Sequence, residues 1–121
     1  MANYKNLDVW KTSMQLVKEV YLLTKKFPKE ELYGLTSPCK RAAVSIPTNI
    51  AEGLVRQYKK DTIQFLHISR GSIYELETLL NMAVMVEIIN EEEYIKIDPL
   101  FEKTLQLLNG FINYNQKADL K

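Results

Sequence analysis

Polar side chains recur at helical spacing inside the most apolar part of the chain, and they are the first candidates for chemistry. One stripe occupies positions i, i+4, i+8 and i+11, which share a helix face: its members are Arg41, Ser45, Asn49 and Glu52. A second stripe at i, i+4 and i+7 consists of Arg70, Tyr74 and Glu77. Gly71 stands beside it, although glycine destabilises a helix interior by about 1 kcal/mol relative to alanine. We therefore expect Gly71 to permit the close approach of a neighbouring backbone.

These two stripes allow two interpretations. In the first, they form a hydrogen-bond and salt-bridge network between helices 2 and 3 of one chain. In the second, they line a subunit interface or a ligand. Small residues flank both stripes, including Ala42 and Ala43 on one side and Ser69 and Ser72 on the other. Because small side chains let helices approach closely, a structural or assembly role is favoured over ligand contact.

Basic residues with aromatic neighbours are candidates for binding nucleic acid. Lys11, Lys18 and Lys25 repeat every seven residues and form a basic stripe on helix 1. Arg56, Lys59 and Lys60 cluster around Tyr58. Contacts with phosphates need only such charges, and they make binding strongly salt-dependent. A solvated lysine face has the same appearance, and no helix-turn-helix or other base-reading motif accompanies these residues.

Residues for catalysis or metal binding are missing from the sequence. His67 is the single histidine and Cys39 the single cysteine, so together they cannot supply the four ligands of a zinc site. Cys39 falls on an apolar helix face and is interpreted as a core residue, and His67 as a surface or interface residue. The four glycines are isolated, which excludes a phosphate-binding glycine loop. The sequence predicts no enzyme and no cofactor.

Long amphipathic helices have to position these residues. Apolar residues recur at spacings of three and four in four segments, which predicts four helices joined by short connections. Short connections make neighbours antiparallel, so residues 1–121 are predicted to form one all-α, up-down-up-down four-helix bundle. Asn6, Asp61 and Asn90 are the predicted N-caps of helices 1, 3 and 4, with Gln64 completing a capping box after Asp61. Pro47 is predicted to kink helix 2, and Pro99 either kinks helix 4 or restarts it, with Asp98 as the cap.

Composition limits the class of protein further. A hydrophobic fraction of 46% with 26% charged residues is typical of a globular domain rather than a disordered chain. Neither a signal peptide nor an apolar run of about 20 residues is present, so we expect a cytoplasmic protein. Residues 1–60 carry 11 Lys/Arg against 5 Asp/Glu, and residues 61–121 carry 5 against 10. This polarity indicates either a surface for polyanions or complementary charge between helices.

Two long segments and the N-terminal helix resemble a known family. RAAVSIPTNIAEG (Arg41 to Gly53) and FLHISRGSIYELET (Phe65 to Thr78) resemble the four-helix bundles encoded in intervening sequences of bacterial 23S rRNA genes, and YKNLDVWKTSMQLVKEVY looks like helix 1 of that family. The resemblance is weakest over helix 4. It implies a bacterial, ribosomal-protein-like chain that assembles as a ring, a homopentamer. The family is also similar to the accessory variability proteins of diversity-generating retroelements, whose basic barrel binds nucleic acid and a reverse transcriptase.

The residues and the resemblance together predict a non-catalytic oligomeric accessory protein. It would associate with nucleic acid, either rRNA or a ribonucleoprotein, through the basic surface of the assembled ring. The alternative is a protein–protein scaffold that makes no direct contact with nucleic acid. The predicted partners are further copies of the chain and RNA or a nucleic-acid-processing protein, with no membrane.

Overall fold

The computed structural model describes residues 3–120. Most of them belong to four helices: α1 (Asp8–Thr24), α2 (Ser37–Leu54), α3 (Lys59–Met85) and α4 (Glu91–Asp119). No strand occurs within this range. The fold is therefore the all-α four-helix bundle that the apolar periodicity predicts.

The start of α4 follows the local sequence. Asn90 Oδ1 accepts a hydrogen bond from the Glu93 backbone N–H at 2.9 Å, and Glu93 Oε1 accepts one from the Asn90 N–H at 3.0 Å. This reciprocal pair is a capping box, and it satisfies two backbone donors that a helix end leaves free. Asn90 is thus confirmed as an N-cap. Pro99 lies inside α4, which continues unbroken to Asp119.

The starts of α1 and α3 differ from the prediction. Asn6 belongs to a short 3-10 turn, and Leu7 precedes α1 without a side-chain cap. Helix α3 begins at Lys59, two residues before the predicted cap at Asp61, and it also lacks a side-chain cap. Tertiary hydrogen bonds from Thr62 to Gly53 and from Lys59 to Asn115 replace local capping at this position.

Helix α3 ends in a tight turn that the backbone itself stabilises. Glu87 adopts a left-handed conformation with φ of 64°, which is uncommon for a residue with a Cβ. The turn brings the N–H groups of Ile88 and Ile89 to the carbonyl of Ala83 at 2.9 and 3.3 Å. Such bonds satisfy the last carbonyls of a helix and let α4 start directly after α3.

The connection between α1 and α2 is helical rather than an open loop. A 3-10 turn covers Lys29–Glu31 and a π-helical turn covers Leu32–Thr36, directly before α2. Within α2, Pro47 is buried. Because proline has no N–H, it cannot donate to the carbonyl of Ala43 as a helical residue would.

Each helix packs on two neighbours, so α1 and α3 lie across the diagonal of the bundle. Three packed pairs are marked by a side-chain contact within the helices, and the fourth by a contact just after the end of α1: Tyr21–Lys40, Ser45–Ser72, Arg70–Asn109 and Lys26–Glu93. Along α2 from Ser45 to Gly53, the contacting residue in α3 changes from Ser72 back to Thr62. Those two helices therefore run antiparallel.

One core stabilises the bundle. Its largest fully buried side chains come from all four helices: Leu16, Ile46, Ile50, Leu66, Leu76, Phe101 and Leu108. Burying apolar surface of this kind contributes about 25 cal/mol per Å². Among the described residues, none of the helices has the length and apolarity needed to cross a membrane.

Candidate nucleic-acid interface

The first basic surface, here called the lysine stripe, consists of Lys11 and Lys18 on α1 and of Lys25, which directly follows α1 as its C-cap. All three side chains are exposed. At a rise of 1.5 Å per residue the stripe is about 21 Å long. Within residues 3–120, none of the three lysines forms an ion pair. Their charges are therefore available to an anionic partner along the length of the helix.

The second basic surface, the basic turn, joins α2 to α3 over residues 56–60, and two of its cations have partners within the fold. The Arg56 guanidinium pairs with Glu52 and lies 4.6 Å from the centre of the Phe65 ring. Lys59 Nζ donates to Oδ1 of the buried Asn115 at 3.1 Å. These contacts link the start of α3 to α2 and to α4.

Two other side chains of the basic turn point outward. Tyr58 is 63% exposed, and Lys60 is exposed and forms no ion pair with a described residue. An exposed aromatic ring beside a free cation can stack on a base while the cation contacts a phosphate. The basic turn therefore presents a different chemistry from the lysine stripe.

The two basic surfaces lie on different elements of the bundle. The lysine stripe belongs to the outer side of α1, and Lys59 and Lys60 lie in the first turn of α3, which is diagonal to α1. The six basic residues predicted to bind nucleic acid therefore come from two diagonal helices and from the turn that follows α2. Spacing in the sequence could not show this, because the order of helices around the core is a property of the tertiary structure.

An open groove of about 620 Å³ lies beside the basic turn, between the start of α3 and the end of α4. Its lining combines polar and apolar side chains: Lys60, Ile63, Gln64, His67, Gln116, Asp119 and Leu120. The α3 members stand at i, i+3, i+4 and i+7, so they share one face. His67 Nδ1 lies 3.5 Å from Arg70 Nη2. Sequence reasoning missed this groove, since its α4 wall is remote along the chain.

The first polar stripe faces α3 at its centre. Ser45 Oγ accepts hydrogen bonds from Ser72 Oγ at 2.8 Å and from Asn49 Nδ2 at 2.9 Å. Ser69 Oγ is fully buried and donates to the carbonyl of Ile46 at 2.9 Å. Hydroxyl and amide groups thus form a network across the interface between α2 and α3, here called the α2–α3 seam; the α3–α4 seam is the corresponding interface with α4.

The ends of that stripe do not join the network. Glu52 pairs with Arg56 on its own side of the seam, and Arg41 is exposed. The sequence allowed salt bridges between α2 and α3. Among the described residues, no salt bridge joins these two helices. Arg41 remains available as a surface cation.

The second polar stripe faces α4, not α2. Arg70 Nη1 donates to Oδ1 of Asn109 in α4 at 2.9 Å. Burial raises the pKa of Tyr94 in α4, and the negative charge of Glu77 raises it further. The first interpretation, a network between helices 2 and 3, therefore does not hold for the second stripe, because helical spacing shows which residues share a face but not which neighbour that face meets. Tyr74 is 48% exposed.

The glycine that lets a neighbouring helix approach closely is Gly53 rather than Gly71. A Cβ added at Gly71 would meet nothing within 4 Å, and the residue lies on the exposed face of α3. A Cβ added at Gly53 would lie 2.9 Å from Phe65 Cβ and 3.1 Å from the Thr62 carbonyl oxygen. The expectation for Gly71 is therefore wrong within one chain. The available signal was the position of Gly53, three residues after the buried Ile50 on the core face.

Cys39 and His67 lie where their interpretation placed them. Cys39 is fully buried, and burial raises the pKa of its thiol to about 11, so it acts as a core residue rather than a nucleophile. His67 is on the surface. In the range that the structure describes, no three His, Cys, Asp or Glu residues stand together as a metal site would require.

A four-helix bundle with exposed basic surfaces is the class that these features define. The family model of the 23S rRNA-intervening sequence protein matches residues 5–110. The chain belongs to this family, which confirms the resemblance found in its helix motifs. No curated protein matches it.

A solved structure shares the fold. It is the crystal structure of a protein of unknown function from the S23 ribosomal protein family of Bacteroides thetaiotaomicron, with 25% sequence identity and a TM-score of 0.79. The similarity covers 86% of this chain and 97% of that one. The bundle described above is therefore the architecture of nearly the whole of that relative.

Proposed function

We propose that this chain is a non-catalytic accessory protein that associates, as an oligomer, with rRNA or a ribonucleoprotein. The observation that carries the proposal is the lysine stripe, three exposed cations on one helix face without an ion pair among the described residues. Membership of the 23S rRNA-intervening sequence family supports it. So does the excess of 11 Lys/Arg over 5 Asp/Glu in residues 1–60.

The physical reason is the release of counterions. Each lysine that neutralises a phosphate displaces condensed cations, so the logarithm of affinity falls with the logarithm of salt concentration by about 0.9 per contact on duplex and about 0.7 on single strands. Three lysines on one helix would contribute a slope of about two to three. An assembled ring would multiply this contribution by repeating the stripe around its rim.

Binding of a structured RNA at several salt concentrations tests the proposal. The variant Lys11→Gln/Lys18→Gln/Lys25→Gln should bind more weakly and with a salt slope smaller by about two to three. The matched control is Lys96→Gln/Lys103→Gln/Lys117→Gln, which removes three exposed α4 lysines. Equal losses in both variants would reject the assignment of binding to the lysine stripe. No binding by the wild-type protein at about 50 mM salt would reject the proposed function itself.

The proposed assembly is a homopentameric ring. The exposed stretch around Gly71, with Tyr74 on the same helix, offers a bare backbone surface to a second copy. A ring of five chains has five times the 14.1 kDa of one chain, which light scattering measures directly. Gly71→Leu should shift the mass toward monomer, as should Arg41→Ala.

The chain provides a matched control for the assembly test. Gly110 is also a mid-helix glycine whose added Cβ would meet nothing within 4 Å, but it lies on α4. Gly110→Leu should leave the mass unchanged. An unchanged mass in Gly71→Leu and Arg41→Ala alike would place the subunit contact elsewhere.

A protein–protein scaffold is the second candidate. The observation that favours it is a group of exposed apolar side chains where α2 begins and α3 ends: Leu32, Tyr33, Met85 and Val86, of which Tyr33 is 85% exposed. Exposed apolar groups of this kind mark contact surfaces for proteins. Partners that remain bound after nuclease treatment of a lysate, with loss of binding in Tyr33→Ser, would support the scaffold.

A further inference from the structure

We infer that the groove between α3 and α4, together with Tyr58 of the basic turn, binds unpaired nucleotides of an RNA strand rather than a duplex. The inference rests on the proposed function and specifies its ligand. It separates two roles within the chain: the lysine stripe attracts phosphates of any nucleic acid, and the groove selects strands whose bases are free.

The groove has the chemistry of a base site rather than of a phosphate track. Lys60 is balanced by Asp119 within the same lining, so the groove has little net charge of its own. Ile63 and Leu120 supply apolar surface for the face of a base. Gln64 and Gln116 supply amide groups that can bond the edge of a base, an edge that is accessible only when the strand is unpaired.

The basic turn places a stacking surface next to this groove. Tyr58 is 63% exposed and precedes Lys59, whose hydrogen bond to Asn115 joins the first turn of α3 to α4. Aromatic stacking holds single strands with little dependence on sequence, and it needs a base that is not already stacked in a duplex. Because Tyr58 stands two residues before Lys60 of the groove lining, we expect it to take a base beyond the Lys60 end of the groove.

The length of the site fits a short strand. Lys60 and His67 are seven residues apart, which is about 10 Å along the helix. Stacked nucleotides repeat at about 3.4 Å per strand, so about three of them span the groove. The free Lys60 stands at the Tyr58 end, and the guanidinium of Arg70 lies beside His67 at the other. A strand can thus enter and leave the groove beside a positive charge.

The test compares single-stranded and duplex RNA by fluorescence anisotropy with the full chain. The probes are a labelled strand of about ten nucleotides and a hairpin with the same sequence in its stem, closed by a linker without nucleotides so that it presents no unpaired base. Wild-type protein should bind the single strand about tenfold more tightly or better, because stacking contributes about 1–3 kcal/mol per base. Tyr58→Ala and Gln64→Ala/His67→Ala should each lose about tenfold on the single strand and little on the hairpin.

Two control variants and one mass measurement complete the test. Tyr58→Phe keeps the ring and should keep the affinity, and Tyr114→Ala, which removes a similarly exposed tyrosine that does not line the groove, should have no effect. Equal affinity for hairpin and single strand, with no loss in the groove variants, overturns the inference but leaves the proposed function intact. Groove variants that change the mass of the assembly instead of RNA affinity identify a contact between copies and also overturn it. If the wild-type protein binds neither probe, both the proposed function and the inference that rests on it are rejected.

Discussion

The two seams of helix α3 use different means to hold a neighbour. Toward α2, small side chains and a glycine allow close packing, and buried hydroxyls such as Ser69 donate directly to a backbone carbonyl. Toward α4, longer side chains reach across the gap, as Arg70 does to Asn109 and Lys59 to Asn115. The α2–α3 seam should therefore tolerate little change in volume, whereas the α3–α4 seam can lose single contacts at small cost.

The largest difference between the seams is expected at glycine. Gly53→Val should destabilise the bundle by about 3 kcal/mol, since its side chain meets Phe65 Cβ and the Thr62 backbone, which cannot easily move. Urea denaturation measures the change in the free energy of unfolding.

Gly110→Ala is the control for this experiment. It adds the same first atom to α4 where nothing lies within 4 Å, so it should stabilise by up to about 1 kcal/mol through helix propensity. If both substitutions changed the free energy of unfolding in the same direction, steric contact at Gly53 would not distinguish the α2–α3 seam.

A second, smaller effect is expected at the buried hydroxyl of the same seam. Ser69→Val removes the bond to the Ile46 carbonyl and adds volume at a position with no exposed surface. We expect a loss of about 2 kcal/mol in unfolding free energy. Thr78→Val serves as its control, because Thr78 is exposed and bonds only within its own helix. A loss in Thr78→Val as large as that in Ser69→Val would attribute the effect to β-branching or helix propensity instead.

A third effect, smaller again, concerns the α3–α4 seam. Arg70→Ala removes one hydrogen bond to Asn109 at a partly buried site and should destabilise by about 1 kcal/mol. The double variant Arg70→Ala/Asn109→Ala should lose little more than the single one, since both remove the same contact. Losses from Arg70→Ala as large as those from Ser69→Val would contradict the contrast between the two seams.

The smallest effect depends on pH. The hydrogen bond from the Asn90 backbone N–H and the one from Lys26 hold the pKa of Glu93 below its ordinary value. A carboxyl group with a lowered folded-state pKa stabilises the fold above its unfolded pKa and loses that contribution as pH falls through the folded value. The stability difference between wild-type protein and Glu93→Gln should therefore shrink between pH 7 and about pH 3. A difference that stayed constant with pH would show that the charge of Glu93 contributes nothing.

Local capping was predictable at one helix and not at another, and the comparison shows why. Asn90 and Glu93 cap α4 through bonds between residues three apart, which any reader of the sequence can propose. The pattern Asp61 to Gln64 is just as local, yet α3 starts at Lys59. There, Thr62 Oγ1 donates to the carbonyl of Gly53 at 2.7 Å, and Lys59 bonds Asn115 of α4. Long-range contacts therefore replaced the local cap.

The candidate site divides in the same way. The lysine stripe was visible because three lysines spaced by seven residues must share a helix face. The groove beside Tyr58 was not visible, because Gln64 and Gln116 are separated by most of two helices and meet only through the packing of α3 on α4.

What the sequence by itself determined is the set of four helices, the apolar face of each, the buried position of Cys39 and the exposed basic residues. Each of these depends on periodicity or on contacts within one turn. Only the tertiary structure decided that the second polar stripe meets α4, that Gly53 rather than Gly71 is closely packed, and that α1 and α3 with their basic residues are diagonal in the bundle. The physical reason is that helical periodicity fixes which side chains point the same way. The rotation and order of the helices around the core then determine which surfaces they meet.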